Sequence, residues 1–246
     1  MVELPVEIPT SDGTADAFLF GPGPQGSWPG VIYLTDIGGI RAATSDAAKR
    51  LASEGFAVLL PNVFYRTARP PVLPYPLNLS DPTVAQRMAG LRSPLTPQAI
   101  ERDASAFTGF LASQRNVSQG PIGVVGYCFG GALALRFAAA LPDKIAAAAS
   151  FHGGRLFTDG PDSPHAVLPH VKARLYFGHA VQDKSMPMEA VEKFESALAS
   201  WGGRHESETY EGAFHSWTTA DSPVYNQPQA GRAYAKLLDL LRSTLT

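Results

Sequence analysis

Short runs of β-branched and other apolar residues alternate along this chain with alanine-rich stretches of helical length, and no other feature constrains its fold as tightly. Residues 31–35 and 56–60 are mostly apolar, as in strands buried on both faces. Between them, 43–54 reads as a helix stopped by Gly55. The pattern recurs as a strand over 122–125, a helix over 129–141 and strands over 145–151 and 174–177. It continues as a helix over 189–201 stopped by Gly202-Gly203, a strand over 206–210 and a last helix over 230–241. A further helix, 97–113, has proline in its first turn. Upstream, 6–8 and 15–20 read as strands joined by the turn Ser11-Asp12-Gly13. Repeated strand–helix–strand units predict an α/β fold with a mostly parallel central sheet, helices on both faces and an antiparallel N-terminal hairpin.

No repeat or linker divides the 246 residues, so the reading is one domain over 1–246. Pro70, Pro71, Pro74, Pro76 and Pro82 break regular structure, so 66–96 is expected to be a loop or cap segment. Loops of this length in compact domains are usually functional or disordered.

At 45% apolar residues the chain can fill a sizeable core. A net charge of -2 excludes the basic footprint of a nucleic-acid binder. One cysteine excludes an intrachain disulfide and a cysteine-rich zinc site, and no histidine and acid cluster has metal-ligand spacing. The N-terminus MVELPVEIPT lacks a basic segment followed by an apolar run. The longest apolar stretch, 133–141, is interrupted by Arg136. The expectation is a cytoplasmic protein, monomer or small homo-oligomer, with a small-molecule partner, no cofactor, no metal and no membrane or nucleic-acid contact.

Ligands of open α/β sheets bind beyond the C-terminal strand ends, so the residues that follow each strand carry the argument. Gly126-Tyr127-Cys128-Phe129-Gly130-Gly131 follows strand 122–125 and opens a helix. This is the Gly-x-nucleophile-x-Gly turn with cysteine as nucleophile. Small flanking residues are required because a Cβ at Gly126 or Gly130 would meet neighbouring backbone. A thiol at a helix N-terminus is biased toward thiolate, and the N–H of Phe129 in the first turn can face a developing oxyanion.

A thiol nucleophile needs a base, and the base needs an orienting group. Asp183 follows strand 174–177, whereas Asp159 and Asp162 lie in a Pro/Gly loop. His215 directly follows strand 206–210, and His179 lies near the same end of the sheet. His205 starts a strand at the opposite end, and His165 and His170 sit in a proline-rich loop. His152 follows strand 145–151 and either lines the pocket or packs.

These residues resemble the dienelactone hydrolase family, a branch of the α/β-hydrolase fold, over nearly the whole chain. Gly126-Tyr127-Cys128-Phe129-Gly130-Gly131-Ala132 is close to that family's Gly-Tyr-Cys-Leu-Gly-Gly-Ala. Gly212-Ala213-Phe214-His215-Ser216-Trp217 is similar to its Gly-x-His-Ser-Phe, with one more residue before the histidine. Pro61-Asn62-Val63-Phe64-Tyr65-Arg66 resembles its Pro-Asp-Leu-Tyr-x-Arg. The resemblance implies Cys128 as nucleophile, His215 as base and Asp183 as orienting acid. It implies the amides of Phe129 and Ile37 as oxyanion donors and Asp36, in place of the family's glutamate, as an acid that modulates the thiol. Arg87, Tyr127, His152 and Trp217 are candidate substrate contacts. Gly38 stands where the family has phenylalanine, and this predicts a roomier pocket. Thr219 stands where the family has the second of two carboxylate-binding arginines. The implied activity is hydrolysis of lactones or small carboxylic esters through an acyl-thioester. The alternative is a non-hydrolytic binding or thiol-sensing protein on the same scaffold, which would need no complete set of nucleophile, acid and base.

Overall fold

Strand β1 (Val2–Thr10) pairs antiparallel with β2 (Gly13–Gly21) from Thr10↔Gly13 out to Val2↔Gly21. The hairpin is longer than the apolar pattern suggested, because its outer residues pair with little burial. The computed structural model describes residues 1–78 and 80–246; Leu79, inside the proline-rich stretch, lies outside the described residues. The chain divides into a unit over 1–120 and a unit over 121–246, described in turn.

The first unit continues with β3 (Gly30–Leu34), α1 (Ala42–Ser53), β4 (Ala57–Pro61), α2 (Pro82–Arg92) and α3 (Pro97–Ala112). Its strands lie in the order β1-β2-β4-β3, with β3 parallel to β4 and β4 antiparallel to β2. Every residue of β3 and β4 is buried, as their apolar runs require. Helix α1 buries Thr44, Ala48, Leu51 and Ala52, a face at three- and four-residue spacing. Helix α2 lies inside the stretch expected to be a loop. Asp81 caps it by accepting the Thr83 N–H at 2.8 Å, and Pro82 opens its first turn. Only Val84 and Leu91 are buried on it, so its sequence carried almost no periodic apolar signal.

The second unit contains β5 (Ile122–Tyr127), α4 (Phe129–Ala140), β6 (Ile145–Phe151), a 3₁₀ helix (Pro164–His170), β7 (Arg174–Gln182), α5 (Met188–Trp201), β8 (His205–Phe214) and α6 (Gln227–Leu245). Its strands run in the order β5-β6-β7-β8, all parallel. Phe137, Phe151, Phe177, Phe194, Tyr210 and Trp217 are buried in this unit. Each such side chain is worth roughly 1.5–3 kcal/mol relative to exposure. Strands β7 and β8 run well past their expected ends because their pairing continues through His179↔Thr209 and Ala180↔Tyr210. Beyond this, β8 advances from Tyr210 to Phe214 while β7 advances only from Ala180 to Gln182. This register shift is a bulge in β8 just ahead of His215. Among the described residues, no helix is long and apolar enough to cross a membrane.

Candidate active site

Strand β5 ends at Tyr127, and Cys128 turns the chain into α4 with φ 53° and ψ -116°. Such a backbone is uncommon for a residue with a Cβ and persists where surrounding structure holds it. The turn is held by three hydrogen bonds. The Cys128 N–H donates to the Phe151 carbonyl at 3.0 Å, and the Cys128 carbonyl accepts from Gly131 at 3.0 Å and Gly154 at 3.4 Å. A Cβ on Gly126 would lie 1.9 Å from the Gly130 carbonyl oxygen, so this position admits glycine alone. Cys128 itself is half-buried and free of any disulfide.

Asp183 follows β7 and His215 follows β8, and both side chains converge on the thiol. His215 Nε2 lies 3.0 Å from Cys128 Sγ, and His215 Nδ1 lies 2.6 Å from Asp183 Oδ2. The other carboxylate oxygen, Oδ1, accepts the Ser185 N–H at 2.8 Å and the Ser185 hydroxyl at 2.6 Å. Burial opposes charge on His215, yet the bonds to Asp183 and Cys128 and their negative charge raise it to about 10. Burial likewise pushes the Asp183 carboxyl up, but bonds from His215 and Ser185 outweigh it and hold the group below its ordinary range. At neutral pH the imidazole is therefore protonated.

His152 is 1% exposed and Trp217 is fully buried, and both side chains support the loop that carries His215. The His152 ring lies edge-on to His215 at 5.3 Å and to Trp217 at 5.1 Å, and its Nε2 pairs with Thr218 Oγ1 at 2.7 Å. Burial, then the charge on His215, lowers His152 well below the usual imidazole range, so it stays neutral beside the charged ring. Tyr127 is half-buried and stacks on Phe151 at 5.5 Å. His179, the other histidine near this end of the sheet, is lowered by burial to about 4 and lies 3.8 Å from Glu195. It does not join the Cys128 group.

The remaining sequence candidates belong to the first unit. Ile37 is buried just after β3, and Arg87 is exposed on α2. The buried Asp36 carboxylate receives Arg41 through two parallel bonds of 2.8 Å, and Oδ1 also accepts the Gly38 N–H at 2.8 Å. The Arg41 guanidinium lies 4.0 Å over the Tyr75 ring. A Cβ on Gly38 would sit 2.9 Å from Arg41 Nη1 and 3.3 Å from Tyr75 Cδ2. The volume expected to open at Gly38 is thus occupied by these two side chains. Sequence reasoning missed Ser185, Thr218 and Tyr75. Of these, Ser185 had a signal: Asp-x-Ser is a turn in which the carboxylate accepts bonds from two residues on.

A thiol on a strained strand-to-helix turn, with a histidine and an aspartate brought beside it from the ends of two later strands, is the arrangement found in the α/β-hydrolase class. The chain belongs to the dienelactone hydrolase family, whose model matches residues 15–245. It is a hydrolase of the lactone and ester class. It is 28% identical over 221 residues to a carboxymethylenebutenolidase of Rhodococcus opacus, covering 88% of this chain and 81% of the other. Its fold is similar to that of a dienelactone hydrolase from Anabaena variabilis (TM-score 0.69, 20% identity), covering 100% of this chain and 99% of that one. It is also similar in fold to a dienelactone hydrolase-like promiscuous phosphotriesterase from metagenomic libraries (TM-score 0.78, 21% identity), with both chains covered in full.

Proposed function

We propose that this chain hydrolyses lactones or small carboxylic esters with Cys128 as nucleophile, through an acyl-thioester. The observation that carries this is the unbroken line from Cys128 Sγ through His215 to Asp183, at 3.0 and 2.6 Å. With the proton held on His215, the sulfur attacks the carbonyl carbon and the carbonyl oxygen takes up negative charge. The N–H of Phe129, first residue of α4, faces that charge, and such a donor is worth around 3 kcal/mol. As the carbon–oxygen bond breaks, His215 Nε2 gives its proton to the departing alkoxide, which in a lactone stays tethered to the acyl group. Neutral His215 then takes a proton from water as the water attacks the thioester. The sulfur leaves as thiolate and the resting pair returns. Asp183 keeps Nδ1 protonated throughout and so fixes which nitrogen works.

The substrates are neutral in this reading. Thr219, four residues after His215, brings no charge. A missing charge-assisted bond to a carboxylate costs about 1.5–3 kcal/mol, or roughly one to two decades in affinity. The test is kcat/KM for a neutral lactone and its carboxylate-bearing analogue, with wild type, Cys128→Ala and Thr219→Arg. The neutral compound should be favoured in wild type, Cys128→Ala should be inactive on both, and Thr219→Arg should narrow the gap. An active Cys128→Ala would defeat the nucleophile; a wild-type preference for the anion, unaltered by Thr219→Arg, would defeat the charge argument.

A further inference from the structure

Ser185 lies where the loops after three strands meet. Its hydroxyl is 2.6 Å from Asp183 Oδ1 and 3.2 Å from His215 Nδ1, and its carbonyl accepts the N–H of Arg155 at 2.9 Å. Arg155 adjoins Gly154, whose N–H reaches the carbonyl of Cys128 at 3.4 Å. A closed circuit of hydrogen bonds therefore runs from the nucleophile turn through the loop after β6 to Ser185. It continues to Asp183 and His215 and returns to the sulfur. Cys128 and Arg155 hold left-handed backbones in this circuit, with φ 53° and 55°.

The protons of the circuit can be counted. The Ser185 hydroxyl has one proton, and the shorter, charge-assisted contact with Asp183 Oδ1 takes it. A lone pair of the same oxygen then faces the Nδ1–H of His215, which already donates to Asp183 Oδ2. Asp183 is thereby fixed at both oxygens: Oδ1 by the backbone and side chain of Ser185, Oδ2 by the histidine. A carboxylate free to turn about its χ2 would let the imidazole swing away from the sulfur. An error of that size at a reacting group is enough to cost large factors in rate.

We infer that Ser185 is a positioning residue for the thiol–imidazole pair: its hydroxyl locks the Asp183 carboxylate and supplies a second acceptor to Nδ1–H of His215. The inference rests on the reading of Cys128, His215 and Asp183 as the working group. Ser185 touches no reacting atom, so its loss acts on turnover and leaves substrate affinity alone. Removing one hydrogen bond to a charged group predicts a fall in kcat of roughly ten- to a hundredfold with KM unchanged.

The experiment compares wild type, Ser185→Ala and Ser185→Thr, with folding checked by circular dichroism. The readouts are kcat, KM and the proton spectrum of the His215 ring, whose Nδ1–H signal is assigned by its loss in His215→Gln. Ser185→Ala should lower kcat, keep KM and broaden the Nδ1–H resonance through faster exchange. Ser185→Thr, which keeps the hydroxyl, should restore the resonance and most of kcat. Wild-type kcat and an unchanged resonance in Ser185→Ala would overturn the inference, as would a folded Ser185→Thr no better than Ser185→Ala. The resonance needs no substrate. If Cys128→Ala stays active while the Nδ1–H signal still responds to Ser185, the functional reading fails and the positioning role stands.

Discussion

Two buried aspartates follow strands in this chain, Asp36 after β3 and Asp183 after β7, and both bend their own backbone in the same way. Asp36 Oδ1 accepts the N–H of Gly38 and Asp183 Oδ1 accepts that of Ser185, each at 2.8 Å. The difference lies in what meets the remaining oxygens. Asp36 faces Arg41, a guanidinium that stays charged at any working pH, in a two-pronged pair whose side chains are only 11% and 7% exposed. Asp183 faces His215, an imidazole able to gain and lose a proton, whose Nε2 lies 3.0 Å from Cys128 Sγ. A turn and a carboxylate are not enough to make a working acid. The titration of the partner separates a static brace from a group that can serve chemistry.

The largest expected effect separates the two carboxylates. Asp183→Asn should keep the fold and lower kcat by about 10³–10⁴-fold, because the amide would no longer hold the productive tautomer of His215. Asp36→Asn should do its damage to stability, leaving Arg41 buried without a counter-charge at a cost of about 3–5 kcal/mol. Urea unfolding and steady-state kinetics on the two variants measure both quantities. An Asp36→Asn protein that is fully stable yet as inactive as Asp183→Asn would erase the distinction.

A smaller effect sharpens the contrast through pH. His215 is raised from 6.5 to about 10 in the folded chain, so the interactions that raise it favour folding fully below 6.5. Their contribution declines as pH rises and is lost through about 10. The stability advantage of wild type over His215→Gln should therefore shrink between those values. An advantage that grew with pH would mean that the folded state binds the proton less tightly than the unfolded chain does.

Much of this was legible in the residues. The buried strands β3, β4, β5 and β6 are continuous apolar runs, and their limits were recovered within a few positions. Cys128 was marked by its flanking glycines, and Asp183 and His215 by their places after strands. Three things were not legible, each for a physical reason. Helix α2 buries two side chains and is stabilised at its start by Asp81 and Pro82, so it lacks the periodic stripe that marks a helix. The length of β8 depends on cross-strand pairing with β7, which local composition does not encode. The fate of the space at Gly38 depended on Tyr75 in the proline-rich segment approaching Arg41, a contact between distant parts of the sequence.

Acid quenching of the enzyme during turnover of p-nitrophenyl acetate tests whether Cys128 carries the acyl group. Peptide mass analysis then locates the label. One acetyl group is expected on the peptide containing Cys128, released by hydroxylamine at neutral pH as a thioester is. The adduct should accumulate in His215→Gln if acylation persists there, since water activation is the step that needs the neutral imidazole. An acetyl group on any other residue during productive turnover, or steady hydrolysis by a Cys128→Ala protein, would contradict Cys128 as the acyl carrier.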